Sequence, residues 1–355
     1  MKLQHVQKAL NVVKKQANQI LLVIIKLRVV VHRLNVLLKR KKENRLNYLQ
    51  LYNSLCKTTI VLICLVISAG GFVRMTGSGM GCPDWPKCFG LWVPPMDVSD
   101  LPPNYKKIYA HRGYDQLDFN AFHTWTEYIN RLLGVLAGLF CLILLSVSFC
   151  LKNKPLIFLN FFLVSLMIFQ GWMGAVVVYS VLAPFKITIH MLIALFIVGV
   201  LLVLNTITSN RRITNIKQKH TLMYVALLVT IIQIILGTQV RENVDLLIMT
   251  LDRSDVISQL SNVFEFHRSL AWVVLAVNLL VVHVYRKDGL IFYETSLILF
   301  ALFGLIFSGI SMNYFNLPGP SQLLHLIFMV FLFIGQSSII LKHSNLPTLK
   351  FPSFG

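Results

Sequence analysis

Charged residues are scarce in this sequence, and acidic residues are the scarcest of them. Of its 355 residues only 13% are charged, and 14 Asp and Glu stand against 33 Lys and Arg. Because soluble globular domains carry roughly 25% charged residues, this composition excludes a water-soluble enzyme. Intrinsic disorder is excluded as well, since 56% of the residues are hydrophobic. A bundle of membrane-spanning helices is the fold class that remains.

Cysteine is also too sparse and scattered for a zinc centre. Four of the six cysteines lie in or at the ends of apolar runs: Cys56, Cys64, Cys141 and Cys150. Only Cys82 and Cys88 share a polar loop, and no second pair follows them. The five intervening residues suit a small disulfide if the loop lies on an oxidising side of the membrane. A structural bridge and a redox or covalent part in catalysis are both open interpretations.

Long apolar runs are the main feature that is present. Crossing a bilayer as a helix takes about 20 such residues, and eight runs qualify: 52–73, 121–148, 155–181, 185–207, 220–240, 263–284, 290–311 and 321–341. Backbone groups in lipid must bond within their own helix. The sequence therefore predicts an all-α membrane protein with eight transmembrane helices.

The basic residues are concentrated at one side of these predicted spans. Residues 1–50 hold 12 Lys and Arg against one acidic residue, and the connections on the same side are also basic. The positive-inside rule predicts cytoplasmic termini, with residues 344–355 as a tail and the loop 74–120 outside. Topology and anionic lipid explain the charge better than a nucleic-acid partner, so none is expected.

The basic extension 1–50 has no assigned role. Its apolar stretch 20–31 is interrupted by Lys26 and Arg28 and is too short to span a bilayer. Three interpretations are open: an amphipathic segment on the inner membrane surface, an extension without order, and a start codon placed too far upstream.

The chain repeats itself at about half its length. From Arg131 to Arg268 is 137 residues, and from His190 to His325 is 135. Offsets this similar predict two tandem four-helix bundles of the same orientation, related by a pseudo-two-fold axis along the membrane normal. The predicted halves are residues 51–207, which include the external loop, and residues 208–343.

Three histidines lie about one turn inside even-numbered predicted helices: His190, His267 and His325. These helices share a direction, so the three side chains lie at one depth near the outer face. Ionisable residues within a bilayer are costly and usually functional. On facing helices, His267 and His325 make an axial pair for a haem. Hydrogen-bonded core histidines are the alternative.

The repeat predicts a fourth histidine at position 130, where the sequence has Asn130, a poor haem ligand. The N-terminal half is therefore expected to hold its haem through His190 alone or with another partner. His123 lies seven residues before Asn130 on the same helix face, about 10 Å higher at 1.5 Å per residue. It reaches a haem only if the haem sits higher or the helix bends.

Three charged residues lie near these positions. Glu127 is on the face of Asn130, where a carboxylate can take a proton or stabilise positive charge. An ion pair with Arg131, four residues on, is the alternative. Arg131 and Arg268 have the geometry to bind haem propionates, and a role as interfacial anchors is equally open.

Several motifs together resemble the heme A synthase family. They are residues 70–79 (GGFVRMTGSG), 82–90 (CPDWPKCFG), 237–242 (GTQVRE), 266–269 (FHRS) and 324–326 (LHL). The resemblance covers roughly residues 55–340. The family's Glu-x-x-His-Arg motif falls on residues 127–131, where its acid is kept and its histidine has become Asn130.

The resemblance implies an eight-helix enzyme of the bacterial inner membrane that oxidises the C8 methyl group of heme O to the formyl group of heme A. It implies haem b between His267 and His325 and the substrate haem at His190. A heme O synthase is expected as a neighbour, and a homo-oligomer is open. A bis-His cytochrome b that only transfers electrons explains the histidines equally well, but not Glu127 or the cysteine loop. A transporter lacks support, because no matched pair of Gly/Pro-interrupted helices is present.

Overall fold

Eight long helices make up most of the described part of the chain. The computed structural model describes residues 28, 45–179, 185–209, 221–286 and 292–344. The helices are α1 Arg45–Met75, α2 Ala121–Leu151, α3 Lys154–Tyr179, α4 Lys186–Ser209, α5 Thr221–Leu247, α6 Asn262–Tyr285, α7 Phe292–Tyr314 and α8 Gly319–His343. All eight are long and apolar enough to cross a membrane, and the described residues form no strand. The predicted all-α, multi-pass membrane protein is confirmed.

Two helix bounds differ clearly from the predicted spans. Helix α1 begins at Arg45 instead of 52, since its first turns are polar and continue the helix beyond the apolar run. Helix α5 continues to Leu247 instead of ending at 240. The predicted span ended at 240 because charged residues follow. In the structure one of them, Asp245, is paired with Arg74 at 2.7 Å. A charge that is paired within the bundle does not have to end a membrane helix.

The chain divides into two units, Met1–Leu51 and Tyr52–Gly355. In the first, only Arg28 and residues 45–51 are described, and both have helical backbone. The predicted amphipathic segment 20–31, apart from Arg28, and the tail beyond Ser344 lie outside the described residues. All site residues discussed below belong to the second unit.

Packing within the second unit is mostly between neighbouring helices. Helix α2 packs on α3, α3 on α4, α5 on α6, and α7 on α8, while α8 also contacts α4 and α5. Within their most apolar stretches, 56% of the residues of α4 are buried against 17% for α3. Helix α4 is therefore central and α3 peripheral. The proposed pseudo-two-fold relation of the halves is still a prediction.

The interior of α5–α8 combines an apolar core with one buried polar network. Its fully buried side chains include Val281, Tyr285 and Ile298. Among them Gln336 donates to Thr230 Oγ1 at 2.9 Å and to Asn278 Oδ1 at 2.8 Å. Small-residue contacts and interhelical hydrogen bonds of this kind hold membrane helices together, because lipid supplies no hydrophobic drive.

The connection between α1 and α2 has a core of its own. Cys82, Cys88, Phe89, Leu101 and Tyr114 are buried together. The Phe89 ring meets four aromatic rings edge-on at 5.8–6.0 Å: Tyr105, Tyr109, Tyr114 and Phe119. Tyr114 donates to the carbonyl of Met80 at 2.6 Å, and burial raises the pKa of its hydroxyl above the usual range. The loop is therefore an ordered structure.

Candidate haem-binding site

His267 and His325 face each other across α6 and α8. Their ring centroids are 6.4 Å apart with an interplanar angle of 60°. Two metal–imidazole bonds of about 2 Å each, plus the distance from each ring centre to its nitrogen, need roughly 6 Å. The spacing therefore fits one iron atom held axially by both rings. The predicted positions, about one turn into each helix, agree with the structure.

The second nitrogens of the two rings differ in their surroundings. His325 Nδ1 lies 2.9 Å from Ser308 Oγ, a contact that orients the ring. His267 Nδ1 is buried and has no hydrogen-bond partner in the described part of the chain.

A glycine on the preceding helix faces each of these rings. A Cβ atom built at Gly237 on α5 would lie 3.0 Å from His267 Cε1, and one at Gly309 on α7 would lie 3.8 Å from His325 Cε1. Small residues let helices approach closely. Here they bring the backbone of α5 and α7 against the imidazole edges.

The N-terminal half contains the matching arrangement. A Cβ at Gly174 on α3 would lie 3.6 Å from His190 Cε1, and one at Gly70 on α1 would lie 3.9 Å from Asn130 Nδ2. His190 Nδ1 and Asn130 Oδ1 are buried and have no hydrogen-bond partner among the described residues. Four glycines thus face three histidines and one asparagine in the order that the sequence repeat predicts.

Backbone contacts of two histidines also correspond. The His190 carbonyl accepts from Gln170 Nε2 at 2.9 Å, and the His267 carbonyl accepts from Gln233 Nε2 at 2.9 Å. Each glutamine lies on the helix before its histidine and ties the two together near the ring. These glutamines were not singled out from the sequence, because an isolated Gln in an apolar run gives no signal of its partner.

Glu127 is buried and directed at the external loop. Its Oε2 accepts from the backbone N–H groups of Gly81 at 2.8 Å and Cys82 at 3.0 Å, and its Oε1 lies 2.5 Å from Arg131 Nη2. Only 5% of the Glu127 side chain and 12% of the Arg131 side chain are exposed. The ion pair that the sequence offered as the alternative is present. The predicted catalytic role of Glu127 is still a prediction.

Arg131 also binds this loop. It donates to the carbonyl oxygens of Asp84 at 2.7 Å and Lys87 at 3.0 Å, and reaches Cys82 O at 3.5 Å. Cys82 and Cys88 form the predicted disulfide within this loop. The guanidinium of Arg131 is therefore occupied by the loop, and its predicted role at a propionate has no contact in support of it here.

Arg268 and His123 lie apart from the paired histidines. Arg268 is exposed and lies over the ring of Phe264 at 5.6 Å. His123 lies under the loop, where a Cβ at Gly81 would come within 2.4 Å of its carbonyl oxygen. Glycine is required at 81 by this close approach. No contact between described residues joins the His123 ring to His190.

Arg74, Arg241 and Asp245 form a charge cluster that the sequence analysis did not assign to the site. Arg74 Nη2 lies 2.7 Å from Asp245 Oδ1, and Arg241 Nε lies 3.5 Å from Asp245 Oδ2. The two arginines stand at matching ends of α1 and α5, where the motifs Val-Arg recur. That recurrence was the available signal, but the shared aspartate depends on contact between distant helices.

Clusters suited to a bare metal ion are absent: among the described residues, no group of three or more His, Cys, Asp or Glu is placed to hold one. Two opposed imidazoles in an apolar bundle instead suit a planar cofactor whose own ring supplies the remaining ligands.

The chain matches the family model COX15-CtaA, cytochrome oxidase assembly protein, over residues 53–336. Proteins named heme A synthase are similar to it. The one from Shewanella oneidensis is 33% identical over 52% of this chain and 54% of its own length, and that from Pelagibacter ubique 32% over 44% and 49%. These matches span about half the length of those two relatives. The protein from Ehrlichia canis is 27% identical over 84% of this chain and 94% of its own length.

The matched family region contains all eight transmembrane helices in whole or in large part, together with the disulfide loop and the three histidines. It covers well over half of the sequence. The chain therefore belongs to the COX15-CtaA family of cytochrome oxidase assembly proteins.

Proposed function

We propose that this protein is a heme A synthase, which oxidises the C8 methyl group of heme O to a formyl group. The observation that carries the proposal is the family match over residues 53–336, joined to the opposed rings of His267 and His325 at 6.4 Å. Three relatives that carry the name heme A synthase support it. The substrate has a long farnesyl tail, which suits a site within a membrane bundle.

The resident cofactor in this proposal is haem b, which His267 and His325 would hold. The spacing of the two rings supports the assignment. When bound, this haem supplies an iron that changes oxidation state one electron at a time. Ser308 holds the His325 ring through Nδ1, and Gln233 holds the backbone at His267.

The substrate heme O is bound through His190. This ring is partly buried beside Gly174, its buried Nδ1 has no partner among the described residues, and it occupies the position in the first half that His325 has in the second. Asn130 stands where the repeat predicts a second imidazole. An amide is a poor iron ligand, so the substrate side of the enzyme offers one strong protein ligand, which suits a haem that must enter and leave.

Glu127 acts as a positioning residue in this proposal. Both of its oxygens are occupied, one by Arg131 and the other by the amides of Gly81 and Cys82. It thereby fixes the Cys82–Cys88 loop on the outer end of α2 and excludes water there. Direct catalytic roles for Glu127, Cys82 and Cys88 are still predictions.

The location follows from the charge pattern. We infer a bacterial inner-membrane protein with both termini in the cytoplasm, supported by the excess of Lys and Arg in residues 1–50. The disulfide then lies on the oxidising side. A heme O synthase in the same membrane supplies the substrate, and terminal oxidases receive the product.

Conversion of heme O tests the proposal directly. The chain is produced in membranes that also contain a heme O synthase, and total haem is extracted, separated and identified by mass. We expect heme A with the wild type and none with His190→Ala. The matched control is His283→Ala, an exposed histidine near the far end of α6, which we expect to yield heme A.

Heme O that stays unconverted in the wild type, beside a full complement of haem b, would refute the synthase function. That outcome would favour the electron-transfer cytochrome, and Asn130→His would then be the informative variant. Heme A made equally well by His190→Ala would leave the function standing and remove His190 from the substrate site.

A further inference from the structure

Asp245 lies between two arginines that come from different halves of the chain. Arg74 ends α1 and Arg241 lies in the last turns of α5, and both approach the Asp245 carboxylate. Two guanidinium groups therefore share one carboxylate as their ion-pair partner. Partly buried charges are stable only when they are paired and hydrogen-bonded.

Glu242 adds a negative charge near Arg241, but its carboxylate is hydrogen-bonded elsewhere. Its Oε1 accepts from the backbone N–H of Phe185 at 2.9 Å and lies 3.5 Å from Thr188 Oγ1. It thus holds the beginning of α4.

The two arginines share Asp245 unequally. Arg74 binds it with two nitrogens, Nη2 at 2.7 Å and Nε at 3.3 Å, and its Nη1 donates to Gln322 Oε1. Arg241 reaches the same carboxylate only with Nε at 3.5 Å, and this buried Nε makes no hydrogen bond to any described residue. The guanidinium fork of Arg74 is therefore fully used, while that of Arg241 is not.

Arg241 lies on the part of α5 that contacts the beginning of α4, the helix that carries His190. The two helices are joined at this level by the hydrogen bond between Thr238 and Thr188 at 2.8 Å. Thr188 is two residues before His190, and Thr238 is three before Arg241, so the bond places the two residues at a similar level of the bundle. The Arg241 side chain is 24% exposed, which leaves it accessible from the site.

We propose that Arg241 binds a propionate carboxylate of the haem held at His190, and that Asp245, which is itself bound by Arg74, positions Arg241. The assignment rests on the proposed function, since it takes heme O as the ligand at His190. A guanidinium fork matches a carboxylate in shape and charge, and an unused fork at the level of His190 is placed to select the acidic edge of the haem. Arg131 is occupied by the loop and Arg268 is exposed, so neither competes for this role.

Methyl esters of the haem provide a test that does not depend on turnover. Purified protein that already contains haem b is titrated with heme O and with heme O dimethyl ester, and binding is followed by the absorption difference. A charge-assisted hydrogen bond favours the free acid by roughly tenfold. We expect the wild type to show that preference and Arg241→Gln to bind acid and ester equally. Arg241→Lys, which keeps the charge without the fork, is expected to fall between them.

Haem b content reports whether each variant is folded. Arg253→Gln, an exposed arginine in the connection after α5, is the matched control and should keep the preference for the acid. Arg268→Gln is measured as the rival. Loss of the preference in that variant, with Arg241→Gln unchanged, would overturn the assignment.

The two proposals fail in different ways. A wild type that binds neither heme O nor its ester would overturn both. A wild type that binds and converts heme O, and keeps its acid preference when Arg241 is Gln, would overturn only the role of Arg241.

Discussion

The two halves of this bundle place different residues at matching positions. In the C-terminal half, α6 and α8 bring His267 and His325 to 6.4 Å. In the N-terminal half α4 supplies His190, but α2 supplies Asn130, and a glycine faces each of the four side chains. One helical framework therefore presents two imidazoles in one half, and one imidazole with an amide in the other. That difference suits a cofactor that stays and a substrate that exchanges.

The connection between the first two helices of each half differs as well. Between α1 and α2 lies a disulfide loop with its own aromatic core, tied to Glu127 and Arg131. Between α5 and α6 lies a short segment whose Val256 packs with Val244 and Leu317. Among the described residues, it is the loop of the N-terminal half that is anchored by a buried ion pair. We infer that this loop belongs to the substrate side of the comparison.

Removing either axial histidine of the C-terminal half should have the largest effect. We expect His267→Ala or His325→Ala to lower the haem b content of purified protein by tenfold or more, roughly the effect of losing a metal site. The absorption of the pyridine haemochrome measures it. His283→Ala on the same helix as His267 should retain full haem, and retention of haem by both site variants would refute the axial pair.

Breaking the buried ion pair of the N-terminal half should have the next largest effect. Glu127→Gln leaves Arg131 without its counter-charge, and losing one partner of a buried pair costs about 3 kcal/mol. That corresponds to roughly a hundredfold faster local opening. Hydrogen exchange at the amides of Gly81 and Cys82 checks it.

An exposed ion pair provides the control for that variant. Lys106 and Asp118 form an ion pair at 2.8 Å on the surface of the same loop. Asp118→Asn should leave exchange at the loop amides unchanged, because exposed pairs contribute little. Equal exchange in the Glu127 and Asp118 variants would show that the buried pair does not hold the loop.

Restoring a histidine at position 130 should remove the asymmetry. We expect Asn130→His to bind heme O roughly tenfold more tightly, a gain of about 1.4 kcal/mol, and to give a six-coordinate low-spin spectrum. Asn130→Ala serves as the control and should keep the spectrum of the wild type. An unchanged spectrum in Asn130→His would mean that residue 130 does not face the iron bound at His190.

Replacing the glycines that face the histidines by alanine should have the smallest effect, and that effect should differ between the two halves. A Cβ at Gly237 lies 3.0 Å from His267 Cε1, so Gly237→Ala must turn the ring slightly, whereas 3.6 Å at Gly174 is ordinary contact with His190. We expect Gly237→Ala to shift the electron paramagnetic resonance g values of haem b while its content stays near that of the wild type. Gly174→Ala should leave them in place, and a larger shift from Gly174→Ala would contradict the geometry.

Much of the fold follows from the sequence, because a bilayer permits few alternatives to an apolar helix. All eight spans were predicted, and the depth of His267 and His325 followed from the repeat. The end of α5 was missed because Asp245 is stabilised by Arg74, a residue 171 positions away in sequence. Pairing of that kind has no local pattern.

The site divides in the same way. The disulfide was predictable from two cysteines in one loop, while the aromatic core around Phe89 was not, since four separate rings must converge on it. The use of Arg131 by loop carbonyls was also hidden, because backbone acceptors leave no mark on the sequence. The sequence predicted an arginine at the haem propionates. Only the contacts show which arginine has a guanidinium that is not already used by other residues.

The hydrogen bond from the backbone N–H of Cys82 to Glu127 has a consequence for how the protein is made. Cys82 is one end of the disulfide, and such bonds form in oxidising compartments. With the loop on the outer side of the membrane, as proposed above, it has to cross the membrane before its cysteines can be oxidised. Insertion of the helices and oxidation of the loop are then separate steps in biogenesis, and the second depends on the thiol-oxidising machinery of the cell.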